Sequence, residues 1–373
     1  MREEILKKHP YAIWQGANGF WYTNIIEDGK KKKLKRKDKK SLEDYLLSMY
    51  QTNNPFSDCW DRWIERQKLC GRSDNTIYKY QTDYKRFIEG TSFEKLEIDK
   101  ITDEDIARLI SDNLREKEVS YKALQSLYGY IKAVMEKAIR DKLITINPCM
   151  YIDLPIYKSK CKAKIYHTEK ERTLSDDEQQ ILLDKLIAKE QKKPYYMPQY
   201  AIRLSMLTGM RVGEIAGLKW EDIFWKEGYI LIRHSEKYNK ITKEYVVEDT
   251  KNHKERIFPL TQDIENLLKT IMKRETDMKW LCEYVFANEN GRINKSTISN
   301  AMRNTTQYDK RFSSVKSIHS NRRTLNSKMR CNGVSAITAS NLLGNTVRCN
   351  DEHYTYDLAC LKEKTKIVEM AGV

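Results

Sequence analysis

Hydrophobic positions along the chain fall into blocks of different period. The first is Tyr11-Ala12-Ile13-Trp14, a Gly16/Gly19 turn, then Phe20-Trp21-Tyr22-Thr23-Asn24-Ile25-Ile26. Aromatic and β-branched residues around glycines predict a small antiparallel sheet. Asp28-Gly29 reads as a further turn, and Ser41 as the cap of a short helix over 42–50 that carries Leu46, Leu47 and Tyr50. From residue 55 the period changes to that of a helix. Phe56, Trp60 and Trp63-Ile64 recur at helical spacing, as do Ile77, Tyr80, Tyr84, Phe87 and Ile88 over 76–88. Thr102-Asp103-Glu104-Asp105 starts another helix with acidic residues at its positive end. A long amphipathic helix covers 124–139 and stops before Asn147-Pro148. Residues 153–173 are polar, basic and weakly periodic, which predicts an extended linker. Ser175-Asp176-Asp177-Glu178 is a capping box ahead of Ile181, Leu182 and Leu186. From there the chain reads as helix-rich with a small β insert, its strands at 229–232, 245–247 and 256–258.

This gives a multidomain, mainly α chain. A small β domain occupies 1–50, a helical domain 55–152, a linker 153–173, and a mixed, helix-rich α/β domain 174–373. A length of 373 residues suits two or three domains. Composition narrows the function. Sixty-eight Lys and Arg against 53 Asp and Glu leave a net charge of +15, so a polyanion, by default nucleic acid, is the expected partner. Eight scattered cysteines form no CxxC pair and six histidines add no zinc spacing, so no metal and no cofactor are expected. There is no Walker loop and no GxGxxG. No stretch of 18 apolar residues and no apolar leader is present, so no membrane association and a cytoplasmic location are expected. The basic run Lys30, Lys31, Lys32, Lys33, Lys35, Arg36 and Lys37 is either a solvated linker or, beside an aromatic sheet, a contact for DNA phosphates. Lys79, Lys85, Arg86, Lys122 and Lys132 are weaker candidates for facing DNA, and the aromatic stripes beside them read as core.

Three patterns in the last 200 residues belong together. The first is Thr208-Gly209-Met210-Arg211-Val212-Gly213-Glu214, where Gly209 ends one helix and Arg211 and Glu214 become i,i+3 neighbours on the next. The second is Thr250-Lys251-Asn252-His253-Lys254-Glu255-Arg256-Ile257-Phe258-Pro259-Leu260, with Lys251 at the expected tip of a hairpin between the strands at 245–247 and 256–258. The third is His319-Ser320-Asn321-Arg322, two side chains on one helical face, followed by Leu342-Leu343-Gly344-Asn345 and, nine residues on, Tyr354.

TGxRxxE, a hairpin lysine before a strand ending in Pro-Leu, HxxR, then LLG with a tyrosine downstream, in this order, resembles the tyrosine recombinase or phage integrase family over 174–373. By layout rather than motif, residues 1–150 resemble the arm-binding and core-binding domains of integrases from conjugative transposons and Gram-positive phages. The resemblance implies a site-specific recombinase that integrates or excises a mobile element without metal. The tyrosine hydroxyl cuts one strand, leaving a 3′-phosphotyrosyl link and a free 5′-hydroxyl. It implies Arg211 and Arg322 as clamps on the non-bridging phosphate oxygens, Lys251 as general acid, and His319 as an assistant in proton transfer to or from the tyrosine or as a hydrogen-bond partner of the phosphate. Glu214 would orient Arg211 and His319, and Tyr354 would be the nucleophile. The implied partners are double-stranded DNA at core and arm attachment sites, a homo-tetramer on that DNA, and an excisionase or DNA-bending helper protein, in a nucleoid-associated cytoplasmic setting of bacterial or phage origin.

Two departures stand out. Asn345 occupies the place where the family usually has His or Trp, and Tyr356 lies two residues past Tyr354. Lys254 is a lesser rival to Lys251. A tail helix over 358–368 is expected, packed on its own domain or on a neighbouring protomer. The alternatives are a type IB topoisomerase-like enzyme, disfavoured by the N-terminal sheet, and a catalytically weak or silent DNA-binding protein of the same fold, which Asn345 keeps open. A basic helical RNA-binding protein has no RNA-module motif behind it.

Overall fold

The computed structural model describes residues 6, 9–27, 30–50, 54–249, 255–356, 365 and 369. The chain divides into two compact units, 1–164 and 165–373. The turn expected at Asp28-Gly29, Lys251 with its neighbours 250–254, and nearly all of the expected tail helix lie outside the described residues.

In the first unit, β1 (Trp14–Gln15), β2 (Trp21–Glu27) and β3 (Lys30–Arg36) form an antiparallel sheet in that order. The basic run is therefore a strand and not a linker. Its register pairs Thr23 with Leu34 and Ile25 with Lys32. One face thus presents Thr23, Ile25 and Leu34 to Leu42 and Leu46 of α1 (Lys39–Tyr50). The other face carries Lys31, Lys33 and Lys35, whose ammonium groups lie 4.8 Å from the Tyr11 ring, 4.5 Å from Tyr22 and 3.9 Å from Phe20. Lysine is a poor strand former, but here each stem covers an aromatic ring while the charge stays accessible. The helix α1 begins before Ser41. The Asp38 carboxylate accepts from the Ser41 N–H and hydroxyl, both at 2.8 Å, so Asp38 caps it.

The helical part comprises α2 (Phe56–Leu69), α3 (Asp74–Phe87), α4 (Asp103–Glu116) and α5 (Tyr121–Arg140). Their apolar stripes meet in one core that buries Phe56, Trp60, Ile77, Phe87, Ile110 and Ile131. The aromatic stripes are core, with Trp60 and Tyr84 rings 4.8 Å apart and Trp63 and Tyr80 5.0 Å apart. Thr102 caps α4 through a reciprocal box with Asp105. Of the basic residues considered for DNA, Lys79 is paired with Asp83 and Arg86 donates to the Glu118 carbonyl. The stretch 153–173 is not simply extended. A 3-10 helix covers Leu154–Lys160, and one helical turn, α6 (Glu169–Arg172), is capped by Thr168.

The second unit continues with α7 (Asp176–Lys192), α8 (Pro198–Thr208) and α9 (Val212–Ala216). Strands β4 (Ile223–Phe224), β5 (Tyr229–Ile232), β6 (His234–Asn239), β7 (Glu244–Asp249) and β8 (Arg256–Pro259) follow. Next come α10 (Gln262–Asp277), the short pair β9 (Ala287–Asn288) and β10 (Gly291–Arg292), α11 (Lys295–Thr306), α12 (Ile318–Cys331), α13 (Ala336–Leu343) and α14 (Val347–His353). The central helix is α8, buried through Tyr200, Ala201, Ile202 and Leu204 and packed against α7, α10, α11 and α12. Chain entry is fixed by a buried lysine: Lys316 donates to the carbonyls of Lys170 at 2.6 Å and Thr173 at 2.7 Å and pairs with Glu178.

The three expected strands exist, but among the described residues β7 and β8 do not pair with each other as the expected hairpin would require. The partner of β7 is β6, whereas β8 pairs with β5 in a separate sheet ordered β4-β5-β8. The sequence His234-Ser-Glu-Lys-Tyr-Asn is too polar to announce β6 as a strand. Ile230 and Phe258, directly opposed and buried, register β8 on β5 instead. Among the described residues, no helix is long and apolar enough to cross a membrane.

Candidate active site

Three arginines from three elements converge on the end of α13. Gly209 makes the first placement possible. It terminates α8 with φ 61°, and a Cβ there would stand 2.9 Å from Leu343 and 3.2 Å from Leu325, so both conformation and space demand glycine. Its carbonyl accepts from Arg322 Nη1 at 2.9 Å. Arg211 then stands at the cap of α9. Gly213 lets α9 lie directly on β6, since a Cβ would meet the Glu236 carbonyl at 2.7 Å.

Glu214, 2% exposed, is the anionic hub. It accepts from the Arg211 N–H at 2.8 Å and Nη1 at 2.7 Å, and from Arg256 Nη1 at 3.0 Å and Nη2 at 2.7 Å. Burial alone would raise its pKa. The bidentate pairing with Arg256 outweighs this, helped by the charges of Arg211 and Arg322, and holds it down at about 2. Sequence reasoning paired Glu214 with Arg211 and His319. The structure pairs it with Arg211 and Arg256, and no hydrogen bond joins it to His319. In the sequence Arg256 is no more than a strand residue. The available signal was its position two residues before the buried Phe258, which turns it to the same face of β8.

The three guanidinium groups take three successive carbonyls at the C-terminus of α13. Arg256 Nε donates to Leu342 at 2.9 Å, Arg322 Nη2 to Leu343, and Arg211 Nη2 to Gly344 at 2.9 Å. The partial negative charge of a helix C-terminus favours this crowding. Gly344, at φ 66°, is required because a Cβ would stand 2.9 Å from Arg256 Nη1. Arg322 is fully buried, and burial followed by the Arg211 charge lowers its pKa to about 10, so it stays charged at neutral pH.

Asn345 sits between two of these cations. Its Oδ1 accepts from Arg211 Nη2 at 3.2 Å and from Arg322 Nη2, while its buried Nδ2 has no partner among the described residues. The orientation is dictated by chemistry, because guanidinium groups only donate. The Tyr354 ring lies under the Arg322 guanidinium, 5.0 Å from its centroid. The Tyr354 hydroxyl has no hydrogen-bond partner among the described residues. The Tyr356 hydroxyl is occupied, accepting from Arg172 at 3.2 Å and donating to the His353 carbonyl at 3.2 Å. His319, in the first turn of α12, keeps solvent access and makes no hydrogen bond among the described residues. Crowding by protein atoms, then the charges of Arg323, Arg322 and Arg211, lowers its pKa below the ordinary imidazole value.

The structure thus brings together Arg211, Glu214, His319, Arg322, Asn345 and Tyr354, and adds Arg256. Three arginines gather around one carboxylate, two of them, Arg211 and Arg256, in ion pairs with it, which leaves an excess of two positive charges. Such a site is built to take an anion. Among the described residues, no group of three or more His, Cys, Asp or Glu is arranged to hold a metal ion.

The phage integrase family matches residues 172–355. Similar curated proteins include a "Tyrosine recombinase XerC-like" protein of Caldanaerobacter subterraneus subsp. tengcongensis, 24% identical over 90% of this chain and 89% of the relative. Tyrosine recombinase XerD of Halalkalibacterium halodurans is 24% identical over 60% of this chain and 67% of its own. Among solved structures, the Tn1549 transposon integrase in complex with circular intermediate DNA aligns with a TM-score of 0.67 at 16% identity, over 85% of this chain and 99% of that one. A lambda integrase tetramer bound to a Holliday junction aligns at 0.57 and 19%, over 91% and 96%. Residues 172–355 thus form a domain of the phage integrase family, in a chain similar to tyrosine recombinases.

Proposed function

We propose that the protein recombines double-stranded DNA at specific sites through a 3′-phosphotyrosyl intermediate, moving an integrating element in or out of its target. The observation that carries this reading is the pairing of Arg211 and Arg256 with the single carboxylate Glu214 beside the buried Arg322, with the Tyr354 ring under Arg322.

In this reading the scissile phosphate enters beside Arg211, the partly exposed member of the cluster. A non-bridging oxygen takes the position that Asn345 Oδ1 holds between Arg211 and Arg322, and the carboxamide swings aside to donate from Nδ2. Two permanently charged forks then meet the negative charge that grows on phosphorus, and they need no reorganisation to do so. Tyr354 attacks, and the phosphodiester bond to the 5′-oxygen breaks. His319, neutral at pH 7 through its lowered pKa, is suited to accept the phenolic proton. Lys251 is the assigned donor to the leaving 5′-oxygen, with Lys254 as its rival. Arg256 holds Glu214 and the end of α13, and so fixes Arg211. Reversal by an incoming 5′-hydroxyl rejoins the strand.

The lysine face of the N-terminal sheet, Lys31, Lys33 and Lys35 with the rest of the run 30–37, is assigned to arm-site phosphates, and the helical domain to the core site. A homo-tetramer on DNA in a nucleoid-associated setting, directed by a small helper protein, completes the proposal. The test is a nicked core-site substrate from which the 5′-hydroxyl fragment diffuses away. A 3′-linked adduct should accumulate and map to Tyr354, and Tyr354→Phe should form none. An adduct on Tyr356, or none with folded wild-type protein on its own element's ends, overturns the assignment.

A further inference from the structure

The segment that carries Tyr354 is tied to the helix that carries His319 and Arg322 by a closed polar circuit. Asn326, one turn past Arg322 on α12, donates from Nδ2 to the Thr355 hydroxyl at 3.1 Å. That hydroxyl donates to Asn350 Oδ1 at 3.1 Å, and Asn350 Nδ2 donates back to Asn326 Oδ1 at 2.7 Å. The two carboxamides orient each other around this ring, and the Thr355 hydroxyl hydrogen is shared between Asn350 Oδ1 and the Asn350 carbonyl, both at 3.1 Å. Beside it, the Ser327 hydroxyl donates to the Tyr354 carbonyl at 3.2 Å and accepts from the Tyr356 N–H at 3.0 Å. Asn326, Ser327 and Asn350 are all 0% exposed.

Buried polar groups gain little net stability over apolar packing even when fully paired. What they add is direction, since a hydrogen bond fixes distance and angle where an apolar contact lets surfaces slide. The backbone alone ties this segment only to its own helix, through the Tyr354 and Thr355 N–H groups on the Asn350 carbonyl, both at 3.0 Å. Tyr354 follows the last turn of α14 with φ −126°, outside any regular element. His319, Arg322 and Asn326 stand at i, i+3 and i+7 along one face of α12, so a single rigid helix sets both the cationic group and the anchor.

We propose that Asn326, Ser327, Asn350 and Thr355 form a cradle of positioning residues that holds Tyr354 at a fixed place relative to Arg322. They act through the tyrosine and do not touch DNA. The proposal rests on the assignment of Tyr354 as nucleophile. It makes the cradle specific to the attacking group, and this distinguishes it from a general contribution to folding.

The experiment uses the full chain, three substitutions in the cradle and a Tyr354→Phe background. Thr355→Val is isosteric but opens the ring, Thr355→Ser keeps the hydroxyl, and Ser327→Ala removes the second clasp. Single-turnover adduct formation on the nicked substrate should fall on the order of 10²-fold for Thr355→Val and Ser327→Ala, as for a misplaced reacting atom. The DNA concentration giving half-maximal rate should not change, and Thr355→Ser should keep most of the wild-type rate. In a Tyr354→Phe background, hydrogen peroxide serves as external nucleophile: its oxygen bonds to phosphorus while the 5′-oxygen leaves with a proton. Adding Thr355→Val there should not alter the peroxide-dependent rate. Equal losses with tyrosine and with peroxide would overturn the cradle, as would an undiminished rate for Thr355→Val and Ser327→Ala. An adduct on another residue of the wild-type protein would instead overturn the nucleophile assignment, so the two failures are separable.

Discussion

Glu275 lets the electrostatics of this fold be tested by measurement. It lies on α10, 0% exposed, with no ion-pair partner among the described residues. The Ala287 N–H donates to Oε1 at 2.7 Å, and Oε2 makes no hydrogen bond within normal distance among the described residues. Burial therefore dominates, outweighs the Ala287 N–H and the nearby Trp220 indole N–H, and pushes the carboxyl from its ordinary 4.5 up to about 8. The folded state prefers the protonated form. Its contribution to stability is intact below pH 4.5 and is lost as pH rises toward and through 8. At ~1.4 kcal/mol per pKa unit, charging this group costs the fold about 3 kcal/mol more at pH 8 than at pH 5. Glu275→Gln cannot charge, and its Oε1 can still accept from Ala287. The stability of the variant relative to wild type should therefore increase by about 3 kcal/mol from pH 5 to pH 8. Urea midpoints at several pH values measure this, provided the slopes match. The unpartnered amide of the variant adds a constant offset and leaves the trend intact. A difference that stays flat from pH 5 to pH 8 would show that Glu275 is solvated or paired, and would refute the reasoning.

Other predictions concern the site. Asn345→Asp places a fixed anion between Arg211 and Arg322 where a phosphate oxygen is proposed to bind, so cleavage should fall at least 10²-fold, as for a lost oxyanion donor. Core-site affinity measured by gel shift should change far less, and cleavage equal to wild type would reject the anion position. Lys251→Ala should slow cleavage of normal DNA by on the order of 10²–10⁴-fold, the range of a lost general acid, and should regain much of its rate when sulfur replaces the bridging 5′-oxygen. Equal defects on both substrates would move the role to Lys254. Cleavage should persist in excess EDTA, because arginines can supply the charge; activity lost there and restored by Mg²⁺ would contradict the mechanism. Deleting 1–50 should abolish binding to arm repeats while core-site cleavage remains measurable, and complete loss of cleavage by folded, truncated protein would contradict the separate roles.

The sequence by itself determined what is local. Apolar spacing located the helices, since a stripe at 3.6-residue period can be buried in few ways. Capping boxes at Thr102 and Ser175 marked helix starts, and Gly209 marked a helix end, because each satisfies backbone groups within a few residues. Motif order was enough to bring Arg211, Glu214, His319, Arg322, Asn345 and Tyr354 to notice. Only the tertiary structure decided which partners those residues take. Strand pairing depends on opposed residues far apart in sequence, so β6 went unread and β8 joined β5 rather than β7. The lysine run became a strand because aromatic rings from β2 and the preceding residues cover its stems, which composition reads as solvation. Arg256 carries no motif. It matters because the fold brings it within hydrogen-bond reach of Glu214, 42 residues away, and of the Leu342 carbonyl, 86 residues away. Asn326, Ser327 and Asn350 read as ordinary polar positions on short helices. Burial against one another gives them direction, and burial is a property of the packed chain and not of any segment of it.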